Sequence, residues 1–229
     1  MSKKYNLAFY AYFIGSNSNE GYKIPPLPSE IYDCYFYTNN KNMYKELEGT
    51  KWKTIFVDRE TTDDLIESNL VGKFFKVLPY QLNELKNYDY TCYLDTKLEK
   101  LNINFIEKLI EEKFINDDYA LLLREHPFIK NNVYEELYVS MSQPRYQMQR
   151  IRYIDYINNQ LERGLSSTTK HHSTCHLLIR NMKHRRMIDF NNVWYNHIQV
   201  CGIQDQISFF FVKQLFEGFY YSFTENPFE

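Results

Sequence analysis

The stretch YDYTCYLDTKLEK, residues 88–100, decides how the rest of the chain is read. Tyr90 to Leu94 are aromatic, β-branched or apolar without interruption, and the run stops at Asp95. Such a run suits a buried strand, and in open α/β sheets ligands bind beyond the carboxyl ends of the strands. If this segment is a central strand, Asp95 stands where a ligand would sit. A strand-end aspartate also caps turns, and position alone does not separate the two roles.

Working outward, the first half alternates between strand-like and helix-like segments. YNLAFYAYFI (5–14), IYDCYFYTNN (31–40) and WKTIFVDR (52–59) read as strands, separated by loops rich in Gly, Ser, Asn and Pro. From Thr62 or Asp63 a helix is predicted, with Leu65, Ile66, Leu70, Phe74, Val77 and Leu78 at helical spacing and Pro79 ending it. Beyond the opening strand, NFIEKLIEEKFI (104–115) reads as a helix and YALLLRE (119–125) as another buried strand. The second half is more helical. PRYQMQRIRYIDYINNQLERG (144–164) puts Ile151, Ile154, Ile157 and Leu161 on one stripe, with Gly164 where a terminating glycine belongs. STCHLLIR (173–180) reads as a strand; segments 185–198 and 205–219 read as helices. Strands alternating with helices predict an α/β fold with a mainly parallel sheet.

Composition limits the function classes. The 229 residues are 44% hydrophobic and 24% charged, which suits a globular chain with a sizeable core. The net charge of −2 provides no global basic field for nucleic acid. The apolar run Leu7–Ile14 is too short to span a bilayer and lacks a leader cleavage site, so a cytoplasmic protein is expected, possible hosts including a virus-infected cell. Cys34, Cys92, Cys175 and Cys201 form no C-x-x-C pair and read as reduced core thiols.

The polar residues that stand out are few. Lys73 and Lys76, three apart on the helix before the Asp95 strand, share a face with Asn69, lie opposite the apolar stripe and suit a diphosphate. Arg124, Glu125 and His126 follow a buried strand. His171, His172 and His176 lack the spacing of zinc motifs. Asp205 lies between Gln204 and Gln206 after the Gly202 turn, at the start of an apolar helix that it could simply cap.

Taken in order, VGKFFKVLPYQL, YTCYLDTKLE, LREHPF, ERGL with CHLLIRN, NNVWYNHI and IQDQISF resemble a glycosyltransferase-like domain family. That family, formerly a domain of unknown function, occurs in plant Golgi proteins of mucilage and pollen-tube growth and in bacterial and viral relatives. The resemblance spans roughly residues 5 to 215. It implies a GT-A-like fold: a Rossmann-like, mainly parallel sheet flanked by helices, with a more helical C-terminal acceptor half. It implies a single domain over 1–229, residues 1–100 binding a nucleotide sugar and 101–229 an acceptor. The reaction would be transfer of a sugar from a nucleotide-diphosphate donor to a hydroxyl of a glycan or other acceptor. Lys73, Lys76, Asp95 and Arg180 would bind the donor and Trp194 and Gln206 the acceptor. Asp205, or His126 second, would serve as base. Asp95 would be the metal ligand.

The chain departs from the family pattern at three places. Tyr80 stands after Pro79 where the family has His, Gln204 replaces an Arg, and Thr96-Lys97 supplies no second acid for an Asp-x-Asp pair. Mn²⁺ or Mg²⁺ would then rest on one carboxylate with donor oxygens and waters, and a metal-independent enzyme using the two lysines is the alternative. The missing acid and Gln204 also suit a degenerate module that binds without turnover. RYQMQRIR and RNMKHRR are local basic-aromatic runs that would suit RNA, a weaker reading in a slightly acidic chain. A nucleotidyltransferase would normally show a Gly-rich phosphate loop, and the seven glycines do not cluster.

Overall fold

The computed structural model describes residues 3–229. The chain forms β1 (Leu7–Phe13), β2 (Asp33–Thr38), α1 (Lys41–Leu47), β3 (Lys53–Phe56), α2 (Leu65–Val77), β4 (Tyr90–Leu94) and α3 (Ile103–Leu109). It continues through β5 (Leu121–Arg124), α4 (Val133–Ser140), α5 (Pro144–Gln147), α6 (Arg150–Glu162), β6 (Leu177–Asn181), α7 (Met187–Cys201), α8 (Asp205–Leu215) and β7 (Tyr220–Phe223). The strands make one sheet in the order β3-β2-β1-β4-β6-β5-β7. Among the described residues β6 alone runs against its neighbours, and every other strand pairing is parallel.

Both faces of the sheet are covered. Along β1, Leu7, Phe9, Ala11 and Phe13 enter a core with Phe36, Ile106 and Phe114, while Ala8 and Tyr10 enter a second core with Phe75, Trp194 and Phe209. This alternation explains why the central strands read as unbroken apolar runs. A third cluster joins α4, α6 and α8 through Val133, Tyr153, Ile157 and Phe211.

The α2 helix departs from expectation in orientation. Asp64 caps it, its carboxylate accepting from the amides of Ile66 and Glu67, and Pro79 follows its end. Its buried face carries Ser68, Gly72, Lys73, Phe75 and Lys76. Leu65, Ile66, Leu70 and Phe74 are only half-buried, and Phe74 meets Tyr195 of α7 edge to face. The two lysines therefore do not lie on the solvent side; they point inward with Gly72. A Cβ at Gly72 would come within 2.3 Å of the Tyr12 ring, so only glycine lets α2 approach β1 this closely.

The α6 stripe is also turned. Ile151 is 69% exposed, and Tyr153, Tyr156, Ile157 and Gln160 form the buried face. The tyrosines bury larger areas and find partners, Tyr153 donating to Gln149 Oε1 at 3.0 Å and Tyr156 pairing with His197 Nδ1 at 2.7 Å. Helices α1 and α4, capped by Asn40 and Asn132, and strand β7 were not expected from the sequence.

Candidate active site

The carboxyl ends of β1 and β4 open into a cavity of about 380 Å³. Lys73 and Lys76 of α2, Asp95 beyond β4, His126 beyond β5, and Asp205 and Gln206 of α8 all line it. Four cations and four carboxylates share its walls.

Its floor is a three-residue charge cluster. Asp205 Oδ2 accepts from Lys73 Nζ at 2.8 Å and lies 2.5 Å from Lys76 Nζ. All three residues are buried: Lys73 is 7%, Lys76 4% and Asp205 4% exposed. Burial by itself would raise the Asp205 pKa, but the two ammonium groups outweigh it and hold the carboxyl at about 2. Burial lowers the Lys73 pKa, with Asp205 opposing. The cluster carries one positive charge in excess. Each ammonium has three donors, and Asp205 engages only part of that capacity. Lys76 also sits 5.1 Å from the centroid of the Tyr93 ring.

Asp205 reaches this place because the chain turns sharply before α8. Gly202 closes α7 at φ +113°, and a Cβ there would lie 2.6 Å from Gln149 Oε1. Gln204 then caps α8. Its amide donates to Glu136 Oε1 and to Ser140 Oγ, both at 2.8 Å, and Glu136 Oε2 pairs with His172 Nε2 at 2.7 Å. The residue that departs from the family pattern thus ties α8 to α4.

Asp95 forms the strand-end turn and also lines the cavity. Oδ1 accepts from the Lys97 amide at 3.1 Å, an Asx turn, while Oδ2 has no protein partner among the described residues. Among the described residues no group of three or more His, Cys, Asp or Glu side chains is placed to hold a metal ion. At the rim, Lys97 and Arg145 both pair with Glu20, at 3.1 Å each.

Two expected donor or acceptor residues lie elsewhere. Because β6 is antiparallel, Leu177 pairs with Leu94 at the cavity edge and Arg180 pairs with Thr91 toward the opposite edge. Arg180 is fully buried and donates to Tyr10 Oη at 3.0 Å and to the Lys76 carbonyl at 2.9 Å, bracing the end of α2. Trp194 is fully buried against Phe190 and Phe209, its indole donating to Ser208 Oγ at 3.1 Å, so it offers no face to a sugar.

Both expected bases lie in the cavity in forms unsuited to that task. Asp205 is doubly ion-paired and weakly basic. His126 Nδ1 accepts from the amides of Phe128 and Ile129, at 3.2 and 2.9 Å, which leaves the proton of the neutral ring on Nε2. Burial lowers its pKa, which favours the neutral ring, and Nε2–H is the donor that ring has to offer. Gln206 lines the cavity and its Oε1 accepts from the Cys175 amide at 3.4 Å.

Arg145, not singled out from sequence, and His176, weighed there only as a zinc ligand, also line the cavity. The same reversal of β6 that removes Arg180 delivers His176, whose carbonyl accepts from the Asp95 amide at 2.9 Å. Burial lowers the His176 pKa to about 4, Asp95 opposing.

The sheet order, the single reversed strand and a cavity at the strand ends define a GT-A-like fold. The chain belongs to the TOD1/MUCI70 glycosyltransferase-like domain family, whose model matches residues 33–226. Among solved structures, mouse xyloside xylosyltransferase 1 in its apo form aligns with a TM-score of 0.52 at 12% identity, covering 95% of this chain and 84% of that one. Bifunctional IspDF from Campylobacter jejuni aligns with a TM-score of 0.44 at 7% identity, over 96% of this chain and 50% of that one. The S. cerevisiae mannosyltransferase Ktr4p gives 0.39 at 12%, over 91% and 62%. The fold assignment does not rest on these last two. No curated protein matches by sequence.

Proposed function

We propose that the protein transfers a sugar from a nucleotide-diphosphate donor to an acceptor hydroxyl in the cavity described above. The observation that carries this reading is the Lys73–Asp205–Lys76 cluster on the cavity floor. Two ammonium groups held by one carboxylate leave positive charge, and burial strengthens its action on an incoming anion. The C1–O bond to the diphosphate breaks as the acceptor oxygen bonds to C1, and the hydroxyl proton passes to the departing phosphate oxygen. Negative charge develops on that leaving group, so preorganised cations there stabilise the transition state over the ground state. Asp205 is assigned to holding the lysines rather than to proton transfer. His126 Nε2–H is assigned as a donor to a substrate oxygen. Asp95, with one free carboxylate oxygen, is assigned to orienting the donor, and it is the residue that would face any Mn²⁺ or Mg²⁺ arriving with the diphosphate.

The test is release of nucleoside diphosphate from a panel of nucleotide sugars, with glycan acceptors, for the wild type and Asp95→Asn. The variant should keep its fold and lose turnover. If Asp95→Asn turns over normally, the aspartate serves only the turn. If the wild type binds a nucleotide sugar without turnover in any combination, the degenerate binding module is the better reading; the packing of Gln204 into the α4 network suits both.

A further inference from the structure

The outer face of α4 and the loop before it carry exposed aromatic side chains. Phe128, in the loop after β5, is 86% exposed and Tyr138 is 82% exposed; Tyr134 and Val139 are 45% and 46% exposed. Together with Asn132 and Glu135 they line a shallow groove of about 420 Å³. Tyr134 and Tyr138 are one turn apart and so stand on one helical face. Keeping large rings in water is costly, and clustered exposed rings mark binding surfaces.

This groove adjoins the cavity around the edge of α4. Val139 lines both. The opposite face of α4 contributes Glu136 and Ser140 to the cavity, and the His126 ring meets Phe128 edge to face at 6.2 Å. A molecule long enough to extend out of the cavity past His126 meets Phe128 first, at the start of the groove.

We infer that the groove is the acceptor's extended subsite and that the acceptor is an oligosaccharide rather than a monosaccharide. The inference rests on the sugar-transfer reading of the cavity. Sugar rings present an apolar C–H face that packs on the electron-rich face of an aromatic ring, and hydroxyls at their rim that polar neighbours bind. The groove supplies both: exposed rings, with Asn132 and Glu135 in the same lining. Asn132 Oδ1 caps α4 by accepting from the Tyr134 amide, which leaves its Nδ2 available.

The experiment is saturation-transfer NMR and calorimetric titration with β-1,4-linked glucose and xylose tetramers and an α-1,4-linked glucose tetramer. Each is run with and without a nucleoside diphosphate, on wild type and on Phe128→Ala/Tyr138→Ala. At least one tetramer should bind the wild type, with saturation reaching its ring protons. The double variant should lose at least tenfold in that affinity while nucleoside-diphosphate affinity stays within twofold and the melting temperature is unchanged. Equal glycan binding by the variant overturns the inference, as does a wild type that binds nucleotide but no tetramer; the transfer reading survives both. A wild type that binds neither overturns both. Self-association of the wild type, abolished in the variant, would show instead that the groove joins two copies of the chain.

Discussion

Replacing Asp205 by Asn tests the floor of the cavity most sharply. The substitution keeps the shape and one acceptor but removes the charge that holds two ammonium groups, 7% and 4% exposed, beside each other. Breaking a buried ion pair by removing one partner costs about 3–5 kcal/mol. The protein can limit that cost by releasing a proton from Lys73, whose pKa burial already lowers. For a domain of this size each kcal/mol moves the melting temperature by roughly 2–4 °C, so a fall of about 6–20 °C is expected at pH 7. The deficit should then shrink toward pH 10. A lysine with a depressed pKa in the folded state is deprotonated there while the unfolded chain still binds the proton, so stability rises with pH in that window. Adding Lys73→Met should restore part of the loss, because it removes the like-charge neighbour. Thermal unfolding by circular dichroism from pH 6 to pH 10 measures all three. A fall under 2 °C at pH 7, or a deficit unchanged at pH 10, would refute the account of a charge-coupled floor.

Other expectations follow from the same geometry. Lys73→Met should weaken nucleoside-diphosphate binding by about 10- to 100-fold, the worth of one hydrogen bond to a charged group at roughly 1.5–3 kcal/mol, as read by calorimetry. His176 is neutral in the fold with a pKa of about 4, against about 6.5 unfolded, so the unfolded chain takes up the extra proton between those values. Stability should fall as pH drops from 6.5 to 4, by roughly 3 kcal/mol for this group, and His176→Gln should flatten that part of the urea-unfolding profile. Arg180→Ala should destabilise by about 2–5 kcal/mol as a buried truncation, with ligand affinity per folded molecule unchanged; reduced affinity in the folded fraction would return Arg180 to the donor site.

Much of this was legible because the central strands are covered on both faces. Tyr90 to Leu94 is an unbroken apolar run for that reason, and Asp95 follows at its end. The order of motifs carried the family. What the sequence did not carry was strand direction. β6 reads like any other buried strand, yet its reversal exchanges Arg180 for His176 at the cavity. Helical periodicity misled at α2 for a related reason. Lys73 and Lys76 look like a solvated face until Asp205, 132 residues after Lys73, arrives to pair with both. Trp194 illustrates the converse: an aromatic on an amphipathic helix went to the core, where Ser208 satisfies its N–H. The α4 helix escaped notice because its buried positions include Glu136 and Ser140, whose polarity is satisfied only by Gln204 and His172 from distant parts of the chain.

The central claim is that Lys73 and Lys76, held by Asp205, bind the donor diphosphate. Calorimetric titration of the wild type and Lys73→Met/Lys76→Met with a panel of nucleoside diphosphates, with EDTA and then with Mn²⁺, tests it directly. The account predicts that one nucleotide binds the wild type in EDTA and that the double variant, still folded, loses that binding. Undiminished binding by the folded double variant would contradict it.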